Sequence, residues 1–228
     1  MPIVTESAMH EKQEWDLQWQ RLDRESKFLG RFLRFCRVTM VAKEVASQIE
    51  KHFPEQGTFV EGGCGTSEDS CMVQPKKRTL IGMDFSQQAL GIARKTGGLN
   101  EFLCGDLSRI PLGKNSIDGI WNVGVMEHFP APALRNILTE CSRVIKPGGK
   151  CIFLWPWALG PSTIILWGIN WLRRKILGKQ EDLYITEHSR VWSARHAMSL
   201  VKPFFGKCRV RYSWGTGLVF LIVIAEKS

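Results

Sequence analysis

A chain of 228 residues is long enough for one α/β domain with flanking segments, and such a chain buries a core without disulfides or metals. Its 44% hydrophobic and 23% charged residues are close to the averages of soluble globular proteins, which argues against a disordered or fibrous class. Seven scattered cysteines without C-x-x-C spacing argue against a disulfide framework or a zinc site, and they indicate a reducing, cytoplasmic compartment. The first residues lack a basic stretch followed by an apolar run, so we expect no signal peptide.

Positive charge is concentrated in the C-terminal part of the chain. The formal net charge is +9, and residues 130–228 hold fifteen Lys and Arg against five Asp and Glu. The preceding residues are balanced, with sixteen basic against seventeen acidic side chains. A basic surface attracts an anionic membrane, an acidic substrate or nucleic acid, and net charge alone does not choose among them. A solvated basic face without a partner is the alternative.

Residues 11–53 are predicted to form two or three helices within an N-terminal helical cap, residues 1–56. Apolar residues recur there at helical spacing with basic residues between them, which predicts an amphipathic helix. The apolar members are Phe28, Phe32, Phe35 and Cys36. Such a stripe serves core packing more often than a lid or membrane contact.

The next region, residues 57–156, alternates short apolar runs with helical segments. Strands are predicted at 58–61, 79–83, 101–104, 116–123 and 150–155, and helices after Ser67 and at 87–95 and 132–145. Strands that alternate with helices of about ten to fifteen residues form βαβ units and a parallel sheet.

The C-terminal region, residues 193–228, is predicted to complete that sheet. A helix at 193–202 precedes two strands, at 207–214 and 218–225, which the short link Gly215-Thr216-Gly217 joins. A link this short connects neighbouring strands only as an antiparallel hairpin, because a parallel return needs a longer crossover. The expected fold class is therefore α/β, with a mostly parallel sheet, helices on both faces and an antiparallel C-terminal hairpin.

An insertion at residues 157–192 separates these two regions. Residues 151–172 carry no formal charge, but a strand is predicted at their start and Pro156, Pro161 and Gly168 interrupt them, so a transmembrane helix is not expected. The segment at 162–177 is predicted to be a buried or interfacial helix that contains the basic run 173–175. A substrate lid, core packing and membrane contact are the alternatives for this segment.

The chemistry is expected after the first predicted strand, in the stretch Val60-Glu61-Gly62-Gly63-Cys64-Gly65-Thr66-Ser67. Glycine lets the backbone turn tightly and lets a ligand approach, at the edge where open α/β sheets bind nucleotides. A glycine-rich turn alone is a weak indication, because such turns also serve structure alone.

Asp84 strengthens this interpretation, because it follows the second predicted strand and lies nineteen residues after Gly65. A carboxylate there accepts hydrogen bonds from both ribose hydroxyls of a nucleoside ligand. Its alternative role is to cap the next helix, although Ser86 is also available for that. The dinucleotide-binding motif G-x-G-x-x-G has its third glycine at the sixth position. Counted from Gly63, that position is Glu68, and its carboxylate would repel the pyrophosphate of a dinucleotide.

With these motifs in order, the chain resembles the class I S-adenosylmethionine-dependent methyltransferases, specifically the ubiquinone and menaquinone biosynthesis type, known as type 11. The segments that carry the resemblance are the glycine-rich stretch, Met83-Asp84-Phe85-Ser86, Gly105-Asp106-Leu107, 125–129 and 146–150. The resemblance implies a seven-stranded Rossmann-like sheet, with residues 57–156 as the core that binds S-adenosylmethionine and leaves S-adenosylhomocysteine as product. The residues expected at the cofactor are Glu61, Gly62, Gly63, Gly65, Asp84, Phe85, Asp106, Leu107, Asn122 and Val123. Ser67 departs from the family pattern, in which a third glycine is common.

Two histidines, His128 and His188, are candidate catalytic residues. The sulfonium of the donor is already activated, so the protein mainly aligns the reactants and excludes water, and no metal is expected. Where the acceptor must lose a proton, Glu127 and His128 follow the fourth strand and His188 lies near the end of the insertion. The alternatives are a structural Glu-His pair in that loop and a surface or helix-capping role for His188.

The sequence therefore predicts a cytoplasmic methyltransferase for a small, hydrophobic or lipid-like acceptor, with peripheral contact to an anionic membrane surface. It does not predict the acceptor atom or the oligomeric state. RNA methylation and nucleotide-dependent oxidation on the same sheet are the alternative functions. Nucleic acid is not the expected partner, because no RNA-binding motif is recognised.

Overall fold

The computed structural model describes Phe35, residues 37–161, seven positions between 163 and 175, and residues 188–228. Most of the predicted N-terminal stripe, Phe28, Phe32 and Cys36, lies outside these residues, and the side chain of Phe35 is exposed. The predicted helices before residue 35 likewise lie outside the described residues.

Seven strands form one sheet in the order β3-β2-β1-β4-β5-β7-β6. The strands are β1 (Gln56–Gly62), β2 (Lys77–Asp84), β3 (Glu101–Cys104), β4 (Ile117–Val123), β5 (Ile145–Pro156), β6 (Lys207–Tyr212) and β7 (Phe220–Glu226). The α-helices with given bounds are α1 (Ala42–His52), α2 (Gln87–Thr96), α3 (Ala131–Val144) and α4 (Ala194–Val201). The predicted α/β class, with a mostly parallel sheet and antiparallel C-terminal strands, is confirmed.

The chain divides into two compact units, Met1–Leu107 and Ser108–Ser228. In the first unit, β2 pairs in parallel with both β1 and β3. Phe59, Leu80 and Met83 are completely buried, as expected for parallel strands covered on both faces. This apolar core fixes where β1 and β2 end, and with them the loops that carry the predicted cofactor residues.

The prediction of a helix after Ser67 is wrong, because a single 3-10 turn, Glu68–Ser70, follows that residue. Pro75 lies eight residues after Ser67, and it disfavours helical backbone at the residue before it as well as at itself. A helix would also need apolar residues at helical spacing, and the residues between Ser67 and Pro75 do not supply them. The connection from β1 to β2, residues 63–76, is consequently a loop that contains one 3-10 turn.

In the second unit, β4 and β5 are parallel, whereas β7 runs antiparallel to both β5 and β6. The predicted C-terminal hairpin is therefore confirmed. Its turn closes with a hydrogen bond from the Ser213 N–H to the Phe220 carbonyl at 2.9 Å. Trp121 of β4 and Phe153 and Trp155 of β5 are completely buried.

The insertion begins and ends on the same part of the second unit. The Ala158 N–H donates to the Val191 carbonyl at 2.9 Å, and the Trp157 indole N–H donates to the Trp192 carbonyl at 3.0 Å. The described positions from 161 to 175 are helical. No helix in the described part of the chain has the length and apolar character needed to cross a membrane.

Glu140 and Arg143 on α3 fasten the segment that precedes β4. Glu140 Oε2 accepts a hydrogen bond from the Ile110 N–H at 2.9 Å, and Arg143 donates to the carbonyls of Ile110 and Leu112 at 2.9 and 2.8 Å. Arg143 Nε also donates to Glu140 Oε1 at 2.7 Å. The hydrogen bond from Arg143 holds the pKa of Glu140 below its ordinary value, although partial burial opposes this.

We expect Glu140→Gln to lower the free energy of unfolding by about 1–2 kcal/mol at neutral pH, because the variant loses charge-assisted hydrogen bonds. A carboxyl whose pKa is lower in the folded state stabilises the protein fully above its unfolded-state pKa, and this contribution is lost as the pH falls through the folded-state pKa. Urea unfolding at pH values from about 7 to about 3 should therefore show a difference between wild type and variant that shrinks in acid.

Glu101→Gln is the matched control, because Glu101 is an exposed glutamate at the start of β3. It should leave the free energy of unfolding nearly unchanged across the same pH range. A Glu140→Gln deficit of equal size in acid and at neutral pH would contradict the proposed role of the Glu140 charge.

Candidate functional site

The glycine-rich stretch forms a tight loop after β1. The N–H groups of Gly63 and Cys64 both donate to the Met83 carbonyl, at 2.7 and 3.1 Å, which ties this loop to the end of β2. Gly63 and Gly65 have φ values of +69° and +50°, in the left-handed region that favours glycine. The positive φ values agree with the tight turn that the sequence predicts here, and contact of these glycines with a ligand stays a prediction.

Ser67 also adopts a left-handed backbone, with φ +60°, which explains why glycine is common at this position of the family motif. A residue with a Cβ pays about 1–2 kcal/mol for this conformation. The Ser67 hydroxyl lies 3.4 Å from Oε2 of the buried Glu61 and donates to it. Glu61 therefore helps to order the loop from beneath.

The carboxylate of Asp84 is buried at the end of β2 and binds the same loop. Its Oδ2 accepts from the Gly65 N–H and its Oδ1 from the Ser86 N–H, both at 2.9 Å. A carboxylate has about four acceptor positions, so it can accept further hydrogen bonds beside these two. The alternative role as cap of α2 is wrong, because the Ser86 hydroxyl accepts from the Ala89 N–H and caps that helix.

A third loop, after β3, meets the end of β2. The Gly105 N–H donates to the Asp84 carbonyl at 3.0 Å. Asp106 is exposed beside it, whereas the Leu107 side chain is buried. Phe85 is half-buried. The first unit thus brings the predicted residues of three loops to one edge of its strands.

Cys64, in the middle of the glycine-rich loop, is not a nucleophile. Burial raises the pKa of its thiol far above the ordinary value, and the nearby Glu61 and Asp84 carboxylates raise it further. The thiolate required for nucleophilic chemistry is therefore absent at neutral pH. The six cysteines in the described part of the chain are free thiols.

Asn122 and Val123, also expected at the cofactor, end β4 in the second unit. The Asn122 side chain is buried, and its Oδ1 has no hydrogen-bond partner within the described part of the chain. A buried amide oxygen without a donor costs about 1–3 kcal/mol, so this atom suits a ligand that donates a hydrogen bond. Val123 is half-buried.

His128 follows β4 in a short 3-10 turn, Met126–His128. Its Nε2 lies 3.7 Å from Oε1 of the buried Glu127, and its Nδ1 is also buried. The Nδ1 atom is thus shielded from solvent, and the Nε2 atom faces Glu127. This environment fits a residue that orders the loop better than one that meets a dissolved acceptor.

The other candidate, His188, is exposed. Its backbone N–H and that of Ser189 both donate to the Glu127 carbonyl, at 2.7 and 2.9 Å, and the Ser189 hydroxyl donates to the Phe129 carbonyl at 2.6 Å. The structure therefore brings the segments of the two candidate histidines together. The sequence carries no signal for this contact, because backbone groups make most of it. Within the described residues, no cluster of three or more metal-binding side chains occurs.

These features fit the cofactor that the sequence resemblance implies. Gly63 and Gly65 leave room for a ligand at the backbone, and the Asp84 carboxylate supplies acceptors for hydroxyl groups. In the second unit, Asn122 supplies a buried acceptor that needs a donor.

Comparison with known proteins identifies the domain. Residues 60–153 match a family model described as a methyltransferase domain, of type 11. The chain is 30% identical over 106 residues to a probable S-adenosylmethionine-dependent methyltransferase of Mycolicibacterium smegmatis, covering 46% of this chain and 40% of that protein. It is 28% identical over 136 residues to demethylmenaquinone methyltransferase of Thermotoga maritima, covering 60% and 58%. The chain thus spans less than two thirds of the length of either relative.

A solved structure of magnesium protoporphyrin IX methyltransferase from Synechocystis PCC 6803, with bound S-adenosylhomocysteine, has the same fold. The TM-score is 0.65 at 14% identity, with 95% of this chain and 96% of that chain covered. The family match sets aside the alternative of a nucleotide-dependent oxidoreductase. The cofactor is S-adenosylmethionine, with S-adenosylhomocysteine as its product. Residues 60–153 therefore form a class I, S-adenosylmethionine-dependent methyltransferase domain of the type 11 group.

Proposed function

We propose that this protein transfers a methyl group to a small, hydrophobic or lipid-like acceptor, which it meets at an anionic membrane surface. Two of the similar proteins are named for demethylmenaquinone and for magnesium protoporphyrin IX, both small molecules with extensive apolar parts. The observation that carries the proposal for this chain is its exposed apolar surface around the insertion.

Among the described residues of the second unit, six large apolar side chains are exposed, a number that a purely solvated surface does not require. They are Leu159, Ile164, Trp171, Leu172, Trp192 and Trp214. The turn that bears Trp214 lies next to the start of the insertion, because the Trp157 N–H donates to the Val219 carbonyl at 2.9 Å and the Trp157 ring contacts Tyr212. Trp171 and Trp214 are the most exposed, at 62% and 81%.

Basic side chains accompany this apolar surface. Arg174 and Lys175 are exposed beside Trp171 in the sequence, and Arg209 and Arg211 are exposed on β6, at the edge of the sheet. Aromatic side chains with basic neighbours are typical of surfaces that bind anionic lipid headgroups. This combination favours a membrane-borne acceptor over a fully dissolved one.

The cofactor residues have distinct proposed roles. When bound, S-adenosylmethionine supplies a methyl group on a sulfonium, ready for in-line displacement. Gly63 and Gly65 admit the cofactor to the backbone, Asp84 accepts hydrogen bonds from its ribose, and Asp106 with Leu107 contacts its adenine. The remaining residues proposed for the cofactor are Glu61, Gly62, Phe85, Asn122 and Val123.

We assign proton acceptance to His188 and ordering of the loop to His128. The exposed imidazole of His188 can reach an acceptor, whereas the ring nitrogens of His128 are shielded. Where the acceptor atom must lose a proton on methylation, a ring nitrogen of His188 would take that proton.

Flotation with lipid vesicles tests the membrane proposal. The intact protein should float with phosphatidylcholine vesicles that contain phosphatidylglycerol, and much less with phosphatidylcholine alone. The double variant Trp171→Ser and Trp214→Ser should lower the bound fraction about ten-fold or more, because both indole rings lose their burial in the interface.

Met72→Ser is the matched control, because Met72 is an exposed apolar residue of the first unit. It should float like the unaltered protein. Failure of the intact protein to float with anionic vesicles would overturn the membrane proposal. The alternative of RNA methylation predicts instead that labelled methyl groups enter added RNA and not a lipid extract.

A further inference from the structure

A cavity of about 460 Å³ lies in the second unit, between α3, α4 and the segment that ends the insertion. Its volume falls in the range of small-molecule sites, about 300–1,000 Å³. Neither the family match nor the named relatives assign a role to it. The residues that line it fall into an apolar set and a basic set.

The apolar set comes mainly from the two helices. Leu134 and Leu138 of α3 are buried at the cavity, and Leu200 and Phe204 line it from α4 and the turn that follows. Trp192 adds an exposed indole ring at the end of the insertion. A wall of this kind takes an aliphatic chain or a ring system.

The basic set consists of Arg135, His188, Arg190 and His196, and none of the described residues that line the cavity is acidic. The Arg135 guanidinium lies 6.0 Å from the centre of the Phe204 ring, which holds the positive charge against the apolar wall. His196 Nδ1 accepts from the Trp192 N–H at 3.4 Å, so the neutral ring carries its own hydrogen on Nε2. The cavity therefore combines apolar contact with donors and positive charge.

We propose that this cavity binds an amphipathic anion, an apolar chain or ring that carries one carboxylate or phosphate group. The apolar part contacts Leu134, Leu138 and Phe204, and the anionic group meets Arg135 and His196. Binding of such a ligand stands independently of catalysis. Its identification as the methyl acceptor rests on the proposed function, since the cavity includes His188.

Dodecyl phosphate, used below the concentration at which it forms micelles, is a suitable probe. We expect calorimetry and Trp fluorescence to show that it binds at least ten-fold more tightly than dodecanol or inorganic phosphate. Dodecanol lacks the anionic group, and inorganic phosphate lacks the apolar chain. Arg135→Gln should weaken the binding of dodecyl phosphate about ten-fold or more, since a hydrogen bond to a charged group is lost. Ser199→Phe, at the cavity lining, should weaken it by filling space.

Arg195→Gln is the matched control, because Arg195 is an exposed arginine of α4 that does not line the cavity. Equal binding of dodecanol and dodecyl phosphate, or no greater effect from Arg135→Gln than from Arg195→Gln, would overturn the inference. Binding of S-adenosylhomocysteine is measured on the same preparations. If the protein binds dodecyl phosphate but not S-adenosylhomocysteine, the proposed function is contradicted and the cavity inference stands. If it binds S-adenosylhomocysteine but not dodecyl phosphate, the cavity inference is contradicted and the proposed function stands.

Discussion

Replacement of Asp84 by alanine is expected to abolish measurable binding of S-adenosylmethionine and S-adenosylhomocysteine in calorimetry. In the proposed site, the buried carboxylate accepts hydrogen bonds from both ribose hydroxyls. Each hydrogen bond to a charged group contributes about 1.5–3 kcal/mol, so the loss of two lowers the affinity by about 100-fold or more. The remaining contacts to adenine and to the backbone do not replace them.

The control must separate cofactor contact from loop structure, because the Asp84 carboxylate also accepts from Gly65 and Ser86. Thermal unfolding of the Asp84→Ala variant tests whether the domain still folds. Glu101→Gln removes one negative charge from the exposed start of β3 and should leave the affinity unchanged. Unchanged cofactor affinity in a folded Asp84→Ala variant would remove the central assignment of the site.

The parallel strands and the final hairpin could be predicted because their signals are local. The predicted strand at 101–104 has the bounds of β3, and the Gly-containing link before β7 left only an antiparallel return. The helix after Ser67 could not be supported in the same way. The alternation of strands and helices predicted it, but Pro75 and the absence of an apolar stripe favour a loop, and local backbone preference decided the outcome.

The site shows the same division between local and long-range information. The glycines and Asp84 are recognisable because their chemistry requires specific residue types at fixed spacing. The backbone N–H groups of His188 and Ser189 bind the Glu127 carbonyl, about sixty residues away in the sequence. Backbone groups are the same in every residue, so the sequence does not reveal this contact. The cavity between α3 and α4 likewise depends on how two helices pack, and no single segment encodes it.

His188→Gln is expected to lower kcat by about 10²–10⁴, the usual contribution of a positioned general base. The neutral imidazole has a ring nitrogen that can accept a proton, whereas the amide of glutamine is not a base. The assay follows labelled methyl transfer to the acceptor recovered from a lipid extract by mass spectrometry. Binding of S-adenosylhomocysteine should stay within about two-fold of wild type, because His188 has no role in holding the cofactor.

Two other histidines serve as controls for this variant. His196→Gln should raise the KM for the acceptor more than it lowers kcat, because His196 lines the cavity without taking the proton. His128→Gln should lower thermal stability, since it removes the imidazole whose Nε2 lies 3.7 Å from the buried Glu127 carboxylate. An unchanged kcat for His188→Gln, or a larger loss for His128→Gln, would contradict the assignment. The hydrogen bonds that anchor the His188 segment come from backbone groups and from the Ser189 hydroxyl, so they survive this substitution, and the loss of kcat isolates the imidazole itself.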